Sequence, residues 1–119
     1  MSEDRIYLRD IEADIIVGIL PEEQDAPQPL VVNITLFTDC LSAALSDSIE
    51  DAVDYSVIHD DVLAHMHSTH YGLIETLAEN LATLCLRDKR IHKCIVAVDK
   101  PKALKFARSV AVEIARSQR

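Results

Sequence analysis

A lysine at position 100 ends an apolar run and is followed directly by a proline. By strand alternation Lys100 continues the row of Cys94, Val96 and Val98, and Pro101 restricts it to extended backbone. Such a lysine is aimed from a rigid element. Its amine becomes a base if desolvation or neighbouring cations lower its pKa. The pattern therefore indicates a working amine, although a solvated turn lysine would also suit this position.

Glu75 lies in the first turn of a predicted helix, amid the apolar residues Tyr71, Leu73 and Ile74. The positive end of a helix dipole stabilises a carboxylate there. A carboxylate can also accept two parallel hydrogen bonds from a planar donor pair, such as the N–H and NH2 edge of a guanine-like ring. Glu75 is thus either a ring anchor or a surface residue that compensates the dipole.

Two further residues have types suited to such a ligand. Tyr55 directly precedes Ser56, the predicted N-cap of a helix, and its ring can either stack on a flat heterocycle or pack within the protein. Glu23 lies in the acidic segment GILPEEQDAPQPL, which is predicted to be a loop, and by default it would be solvated.

The histidine-rich segment HMHSTH does not predict a metal site. His65, His67 and His70 have i, i+2, i+5 spacing, whereas helical ligands share a face at i, i+3 or i, i+4. The three cysteines are odd in number and lack C-x-x-C spacing, which argues against a disulfide framework and a cysteine zinc site. We therefore expect no metal and no cofactor.

The apolar pattern predicts one α+β domain over residues 1–119 that positions these side chains. Strands are expected at residues 6–17, with a β-bulge near Asp10, and at 30–37, 93–99 and 109–115. Helices are expected at residues 56–67 and 73–87, with a short helix near 41–45 and a loop at 18–29. The order ββααββ is satisfied by a four-stranded antiparallel sheet with both helices on one face.

Composition excludes several classes of protein. Hydrophobic residues make up 49% of the 119 residues, which is typical of a globular chain, and no apolar run reaches 18 residues. The charged N-terminus lacks a signal core, so we expect a cytoplasmic protein without membrane contact. The net charge of −8 disfavours a nucleic-acid partner.

Charge is distributed unevenly along the chain. Residues 1–61 hold fifteen Asp and Glu and two Lys and Arg, whereas residues 87–119 hold ten Lys and Arg and three Asp and Glu. One interpretation is that the two ends lie side by side in one sheet, where their charges intermix. The other is a cationic site for an anionic ligand, built from the C-terminal segment.

Taken together and in order, four segments resemble the dihydroneopterin aldolase family. They are VGILPEEQ with the following QPL, DAVDYSVI, LIETLAE and VDKPKALKFARSVAVEI, and the resemblance runs from about Arg5 to Arg116. It implies the tunnelling fold, whose element order matches the one predicted above. It also implies homo-oligomeric rings of four, often stacked into octamers, with sites for a small-molecule pterin between subunits.

The resemblance further implies roles for individual residues. Glu75, with Leu73 and Ile74, would hold the amino and N3 edge of the pterin. Tyr55 would reach in from a neighbouring subunit to contact the ring and the reacting side chain. Lys100 would be the catalytic lysine, working with an ordered water, and Glu23 would orient the substrate or that water.

The implied reaction belongs to folate biosynthesis. A retro-aldol cleavage of 7,8-dihydroneopterin gives 6-hydroxymethyl-7,8-dihydropterin and glycolaldehyde, with epimerisation at C2′ as an accompanying activity. The N5=C6 imine of the pterin accepts the electrons of the broken bond, so neither a lysine Schiff base nor a metal is required. The protein must supply a positioned base and a proton route.

Two departures from the family pattern leave alternatives open. Leu20 and Glu22 stand where many members carry an aromatic pair, and KALKFARS is more cationic than the usual loop. The latter is similar to sister enzymes that epimerise dihydroneopterin triphosphate, so that Lys102, Lys105 or Arg108 would meet the triphosphate. The rivals are therefore a triphosphate 2′-epimerase and a non-catalytic pterin- or purine-binding ring protein.

Overall fold

The computed structural model describes residues 3–119, and its centre is one antiparallel sheet. Four strands, β1 (Arg5–Ile15), β2 (Gln28–Phe37), β3 (Lys93–Lys100) and β4 (Val110–Ser117), lie side by side in the order of the sequence. Every neighbouring pair is antiparallel. One end of the sheet therefore collects the end of β1, the start of β2, the end of β3 and the start of β4.

Two long helices cover one face of this sheet. They are α3 (Tyr55–Ser68), which packs against β1, and α4 (Ile74–Cys85), which packs against β3 and β4. Two short helices, α1 (Pro21–Asp25) and α2 (Leu41–Ser46), and a 3-10 turn at Ile49–Asp51 lie in the connections. The predicted α+β architecture, with both main helices on one face, is confirmed.

The core lies between the helices and that face of the sheet. Apolar residues that recur at helical spacing in the two long helices are buried, as are the alternating apolar residues of β2 and β3. The helical members are Val62, Met66, Ile74, Leu77, Ala78, Leu81, Leu84 and Cys85; the strand members are Leu30, Val32, Ile34, Leu36, Cys94, Val96 and Val98. Since burial of apolar area drives folding, this interface fixes the positions of the strand ends.

The predicted β-bulge is present in β1. The register shifts between Leu8 and Ile11, and Asp10 has a φ of 55°. The backbone N–H of Asp10 donates to Oδ1 of Asn33 on β2 at 2.9 Å. The Asn33 side chain thus takes the place of the backbone acceptor that a bulged residue lacks. The extra residue in the bulge explains why the alternation of β1 changes phase.

Three local predictions are corrected. The N-cap of α3 is Asp54, whose carboxylate accepts from the N–H groups of Ser56 and Val57, and Ser56 itself is already helical. The loop expected at residues 18–29 contains α1 and the beginning of β2. The second long helix ends at Cys85, two residues before the predicted end.

The acidic part of the chain (residues 1–61) and its basic part (residues 87–119) lie side by side in one sheet, as the first interpretation expects, because β2 pairs with β3. β1 and β4 occupy opposite edges, with β2 and β3 between them. The strands stay in sequence order because each successive pair is joined as an antiparallel neighbour. Within residues 3–119, no helix has the length and apolar character needed to cross a membrane.

Candidate active site

Lys100 and Glu23 form an ion pair at the end of the sheet. Nζ of Lys100 donates to Oε2 of Glu23 at 2.6 Å, and the two side chains are 15% and 19% exposed. β3 carries the lysine to the strand terminus, and Pro101 follows it out of the sheet. The structure thus brings together two residues that are 77 positions apart and that the sequence marks as functional.

The carboxylate of Glu23 rests against the backbone of Gly18. Gly18 has a φ of 131°, and a Cβ at this position would overlap the carboxylate. The same carboxylate accepts from the backbone N–H of Leu20 at 3.4 Å and from Nε2 of Gln28 at 3.4 Å. Glycine is therefore required here both for its backbone conformation and for the space that the carboxylate occupies.

These contacts determine the charge state of Glu23. The hydrogen bond from Lys100 holds the pKa of the Glu23 carboxyl below its ordinary value, against the opposing effect of burial. Gln28 and the backbone of Leu20 act in the same direction. Glu23 is consequently a carboxylate at neutral pH, which suits it to hold the ammonium group of Lys100 in place.

A pocket of about 230 Å³ opens above this pair. Its wall includes the end of β3, the start of β4 and the first turn of α4, so the ion pair and Glu75 face the same space. The lining residues are Gly18, Ile19, Glu23, Gly72, Leu73, Ile74, Glu75, Lys100, Ala103, Val110 and Val112. The pocket is apolar on its strand side and carries two carboxylates and one amine.

The chain enters α4 through a segment that is hydrogen-bonded to Val17 and Gly18, just beyond the end of β1. The N–H of Gly18 donates to the carbonyl of Tyr71 at 3.0 Å, and Val17 and Tyr71 form a parallel bridge. This link brings Leu73, Ile74 and Glu75 beside Glu23. The N-cap position of α4 is Leu73, which has no side-chain acceptor for the first N–H groups of the helix. Backbone donors and the Glu75 carboxylate therefore face the pocket together.

Tyr55 does not reach this pocket within the chain. It is the first residue of α3 and is 57% exposed, whereas the site adjoins the other end of that helix. Fourteen helical residues separate the two ends by about 20 Å. Five of the six predicted positions, Glu23, Leu73, Ile74, Glu75 and Lys100, thus meet in one pocket, and Tyr55 lies apart.

Arg108, another cation predicted to meet a ligand, faces away from the pocket. It lines a groove on the opposite face of the sheet with Asp10, Glu12 and Asp99. Asp99 itself accepts from the hydroxyl of Ser109 at 2.7 Å. The alternation of β3 places Asp99 on the face opposite to Lys100.

Two supporting residues were missed from the sequence. Gln28 contacts Glu23, and Gly18 provides the space for its carboxylate. Both stand in the segments VGILPEEQ and QPL, where a glycine at the end of a strand and a polar residue at the start of the next were the available signals. Their roles depend on contacts between residues 5 to 11 positions apart, which no periodicity encodes.

One residue of the histidine-rich segment contacts the segment before α4. Nε2 of His65 lies 3.0 Å from the hydroxyl of Tyr71, and the two rings stack with centroids 5.9 Å apart. This contact attaches the end of α3 to the segment that precedes α4. The histidine therefore supports the position of the pocket wall from behind.

Comparison with known proteins gives a consistent answer. The model of the dihydroneopterin aldolase family matches residues 6–115. A dihydroneopterin aldolase of Streptomyces coelicolor is 34% identical over 100 residues, with 84% of each chain covered. A dihydroneopterin triphosphate 2′-epimerase of Pseudomonas aeruginosa is 29% identical over 111 residues, covering 93% of this chain and 90% of the relative.

A longer relative and two solved structures extend this comparison. The folic acid synthesis protein of Dictyostelium discoideum is 29% identical over 114 residues, and the match covers 96% of this chain but only 17% of that protein. The E. coli dihydroneopterin aldolase in complex with neopterin superposes with a TM-score of 0.92 at 29% identity, covering 96% of this chain and 99% of that one. A Burkholderia dihydroneopterin aldolase bound to guanine gives 0.81 at 26% identity, with 98% and 92% covered.

Proposed function

Since the chain belongs to the dihydroneopterin aldolase family, we propose that it is the aldolase of folate biosynthesis that cleaves 7,8-dihydroneopterin. The products are 6-hydroxymethyl-7,8-dihydropterin and glycolaldehyde. One observation carries the proposal: the Lys100–Glu23 ion pair lies in a pocket that Glu75 also lines. An acid–base pair thus faces the same space as an acceptor for the edge of a flat ring.

The proposed pose is set by Glu75 and the start of α4. The two carboxylate oxygens of Glu75 accept from the 2-amino group and the N3–H of the pterin. The N–H groups near Leu73 and Ile74, which have no side-chain cap, donate to the ring oxygen beside N3. The relatives with neopterin and guanine in their complexes support this pose, because both ligands present the same amino and N–H edge.

Cleavage then needs a base near the substrate side chain. The base takes the proton of the 2′-hydroxyl, the C1′–C2′ bond breaks, and its electron pair moves into the N5=C6 imine. Glycolaldehyde leaves as the 2′-oxygen becomes a carbonyl, and C1′ regains a proton to give the hydroxymethyl group. Because the pterin accepts the electrons, the step requires neither a Schiff base on Lys100 nor a metal ion.

Lys100 and Glu23 supply the proton route in this scheme. The ion pair gives a proton donor and a proton acceptor 2.6 Å apart, so a proton can pass between them without large movement. Lys100 acts on the substrate through an ordered water. Glu23 keeps the amine in place and accepts its proton when the amine serves as the base. Both side chains are mostly shielded, which strengthens their interaction.

The test compares Lys100→Ala with Lys93→Ala. The two lysines stand at opposite ends of β3, and Lys93 lies over the ring of Phe37, away from the pocket. We expect Lys100→Ala to lower turnover of 7,8-dihydroneopterin by on the order of 1000-fold while neopterin affinity changes little. Lys93→Ala should retain wild-type turnover. Equal activity of the two variants would contradict the proposal.

A second candidate function is epimerisation of dihydroneopterin triphosphate at C2′. The Pseudomonas relative carries that name, and the loop after Pro101 is cationic. The position of Arg108 weakens this candidate, because the arginine shares its groove with three carboxylates on the other face of the sheet. Incubation with each substrate separates the two: glycolaldehyde release supports the aldolase, and a 2′-epimer of the triphosphate without cleavage supports the epimerase.

The third candidate is a non-catalytic pterin or purine binder. It would bind neopterin without turning over either substrate. The shielded ion pair disfavours this candidate, since a site that only binds the ring needs Glu75 and the donors of α4 but no amine.

We also propose that the protein acts in the cytoplasm, where the other steps of folate synthesis supply its substrate.

We further propose that the pocket is completed in a homo-oligomer, a tetramer or octamer. β1 and β4 are unpaired edges of the sheet, and Tyr55 is exposed about 20 Å from the pocket of its own chain. Pairing of β4 with β1 of a second copy would close the edges. Sedimentation of the purified protein is expected to give four or eight chains; a monomer that turns over substrate would contradict this.

A further inference from the structure

Gln28 links the ion pair to the sheet. It is the first residue of β2, and its Nε2 donates to the carbonyl of Val17 at 2.9 Å and to Oε2 of Glu23 at 3.4 Å. We infer that Gln28 is a positioning residue, which holds the carboxylate of Glu23 toward the amine of Lys100. This inference rests on the proposed function for its catalytic consequence, but its structural part can be tested separately.

The need for such a residue follows from where Glu23 stands. It lies on α1, a helix of five residues without a buried member, so its own element does not hold it firmly. Its carboxylate also accepts from Lys100 at 2.6 Å and from the Leu20 N–H at 3.4 Å, the same length as the hydrogen bond from Gln28. A glutamate has three rotatable side-chain bonds, and Lys100 is itself a long side chain, so a donor fixed on the sheet restricts the orientation of the carboxylate further.

Gln28 is well placed to provide that support. Its backbone pairs with Ile15 of β1, so the residue stands on the rigid sheet and not on the loop. Its amide group reaches two acceptors at once, one on the chain beyond β1 and one on α1. Gln28 does not line the pocket, and therefore it acts on the reaction only through Glu23. A carboxylate held in advance spares the reaction the cost of ordering it.

The kinetic experiment compares Gln28→Met with Gln24→Met. Methionine keeps the length of glutamine and removes the amide, and the amide of Gln24 donates to the carbonyl of Ile19 at 3.4 Å and does not contact Glu23. We expect Gln28→Met to lower kcat by about 10-fold or more while the Kd for neopterin stays within twofold, because Glu75 still holds the ring. Gln24→Met should match the wild type in both. Unchanged kcat in Gln28→Met would overturn the catalytic part of the inference.

A second measurement does not depend on activity. The groups that face the Glu23 carboxyl are Lys100 from β3 and Glu75 from α4, and neither is altered in the variants. The carboxyl resonance of Glu23, followed by NMR across pH, should titrate at a higher pH in Gln28→Met, because a hydrogen bond that lowers its pKa is lost. Gln24→Met should titrate as the wild type does. No shift in Gln28→Met would overturn the positioning role.

These measurements separate the inference from the proposed function. A wild-type protein that turns over no dihydropterin refutes the proposed function, and the NMR titration still decides whether Gln28 positions Glu23. If Gln28→Met does not fold, Gln28→Glu replaces it, since glutamate keeps the shape and lacks the N–H donor. There the titration of Glu23 should move further upward through repulsion by a second carboxylate, and an unmoved titration would overturn the inference.

Discussion

The two long helices begin in contrasting ways. At the start of α3, the carboxylate of Asp54 accepts from the backbone N–H groups of Ser56 and Val57 at 3.1 and 3.4 Å. At the start of α4, Leu73 occupies the equivalent position and offers no acceptor. Every α-helix leaves its first N–H groups without partners inside the helix. The chain therefore satisfies this requirement itself at α3 and leaves it open at α4.

The difference marks which helix end is structural and which is functional. The open end of α4 faces the pocket that contains Lys100 and Glu23, and Glu75 lies in its first turn. Within the described part of the chain, no hydrogen bond or ion pair engages the Glu75 carboxylate. A helix start with unused donors and an unused acceptor, both directed at one pocket, is built to be completed by a ligand.

Among substitutions at the two helix starts, Glu75→Gln is expected to have the largest effect, which is on neopterin affinity. The amide keeps the shape of the side chain but offers one acceptor and one donor to a ring edge that presents two donors. One ring N–H would then be left unpaired in the pocket, so neopterin affinity should fall by at least about 100-fold. Isothermal titration with neopterin measures this, together with thermal unfolding to verify the fold.

Glu79→Gln is the matched control for that substitution. Glu79 lies one turn further along α4, and its carboxylate pairs with the guanidinium of Arg116 at 3.0 Å on the protein surface. Its loss should leave neopterin affinity as in the wild type and lower stability only slightly. Equal affinities of the two variants would show that the carboxylate at the open helix end does not hold the ring.

Most of the fold could be predicted from the sequence, whereas the exact start of α3 could not. The apolar periods of β2, β3 and α4 fixed the sheet, the helix face and the location of Glu75 and Lys100 at one end, because burial and alternation follow local spacing. The slip of alternation near Asp10 even placed the bulge. The N-cap of α3 was predicted at Ser56 and lies at Asp54, because both residue types suit the position and only the backbone decides between them.

The remainder of the site could not be read from spacing. The partnership of Glu23 with Lys100 joins a short helix to a strand end 77 residues away, and α1 itself was predicted as loop because three prolines border it. The sequence also gives no direction for Arg108, which precedes β4 and lines a groove on the opposite face of the sheet. Tyr55 was assigned to the site by family resemblance, and in the single chain it stays a prediction.

An intermediate effect is expected if α4 is given the cap that it lacks. Leu73→Asn supplies a preferred N-cap side chain at a residue whose φ of −127° and ψ of 141° already suit a cap. Stability without ligand should rise by about 1 kcal/mol. Neopterin should bind roughly 10-fold more weakly, because the new cap occupies donors that the ring would use. Thermal unfolding and titration with neopterin on the same preparations measure both quantities.

The Leu73→Asn experiment is decided by whether stability rises while neopterin affinity falls. Leu73 is about half exposed, so the loss of its side chain from the core costs little. A variant that is more stable and still binds neopterin as the wild type does would show that the ligand does not use these donors. Leu73→Met, which keeps an apolar side chain and adds no acceptor, should leave both quantities near their wild-type values.

The smallest effect concerns the capped end and its dependence on pH. Hydrogen bonds from Ser56 and Val57 hold the pKa of the Asp54 carboxyl below its ordinary value near 3.8. A group whose pKa is lower in the folded state stabilises the fold above its unfolded pKa, and this contribution disappears as pH falls through the folded pKa.

Asp54→Asn keeps a good cap but removes the titration. The wild type should therefore melt slightly higher than Asp54→Asn at pH 6, and the difference should shrink as the pH falls below 3.8, while other carboxyls titrate alike in both proteins. A difference in Tm that stays constant from pH 6 to pH 3 would show that the charge of Asp54 does not contribute to the cap, and the contrast between the two helix starts would then rest on hydrogen bonding alone.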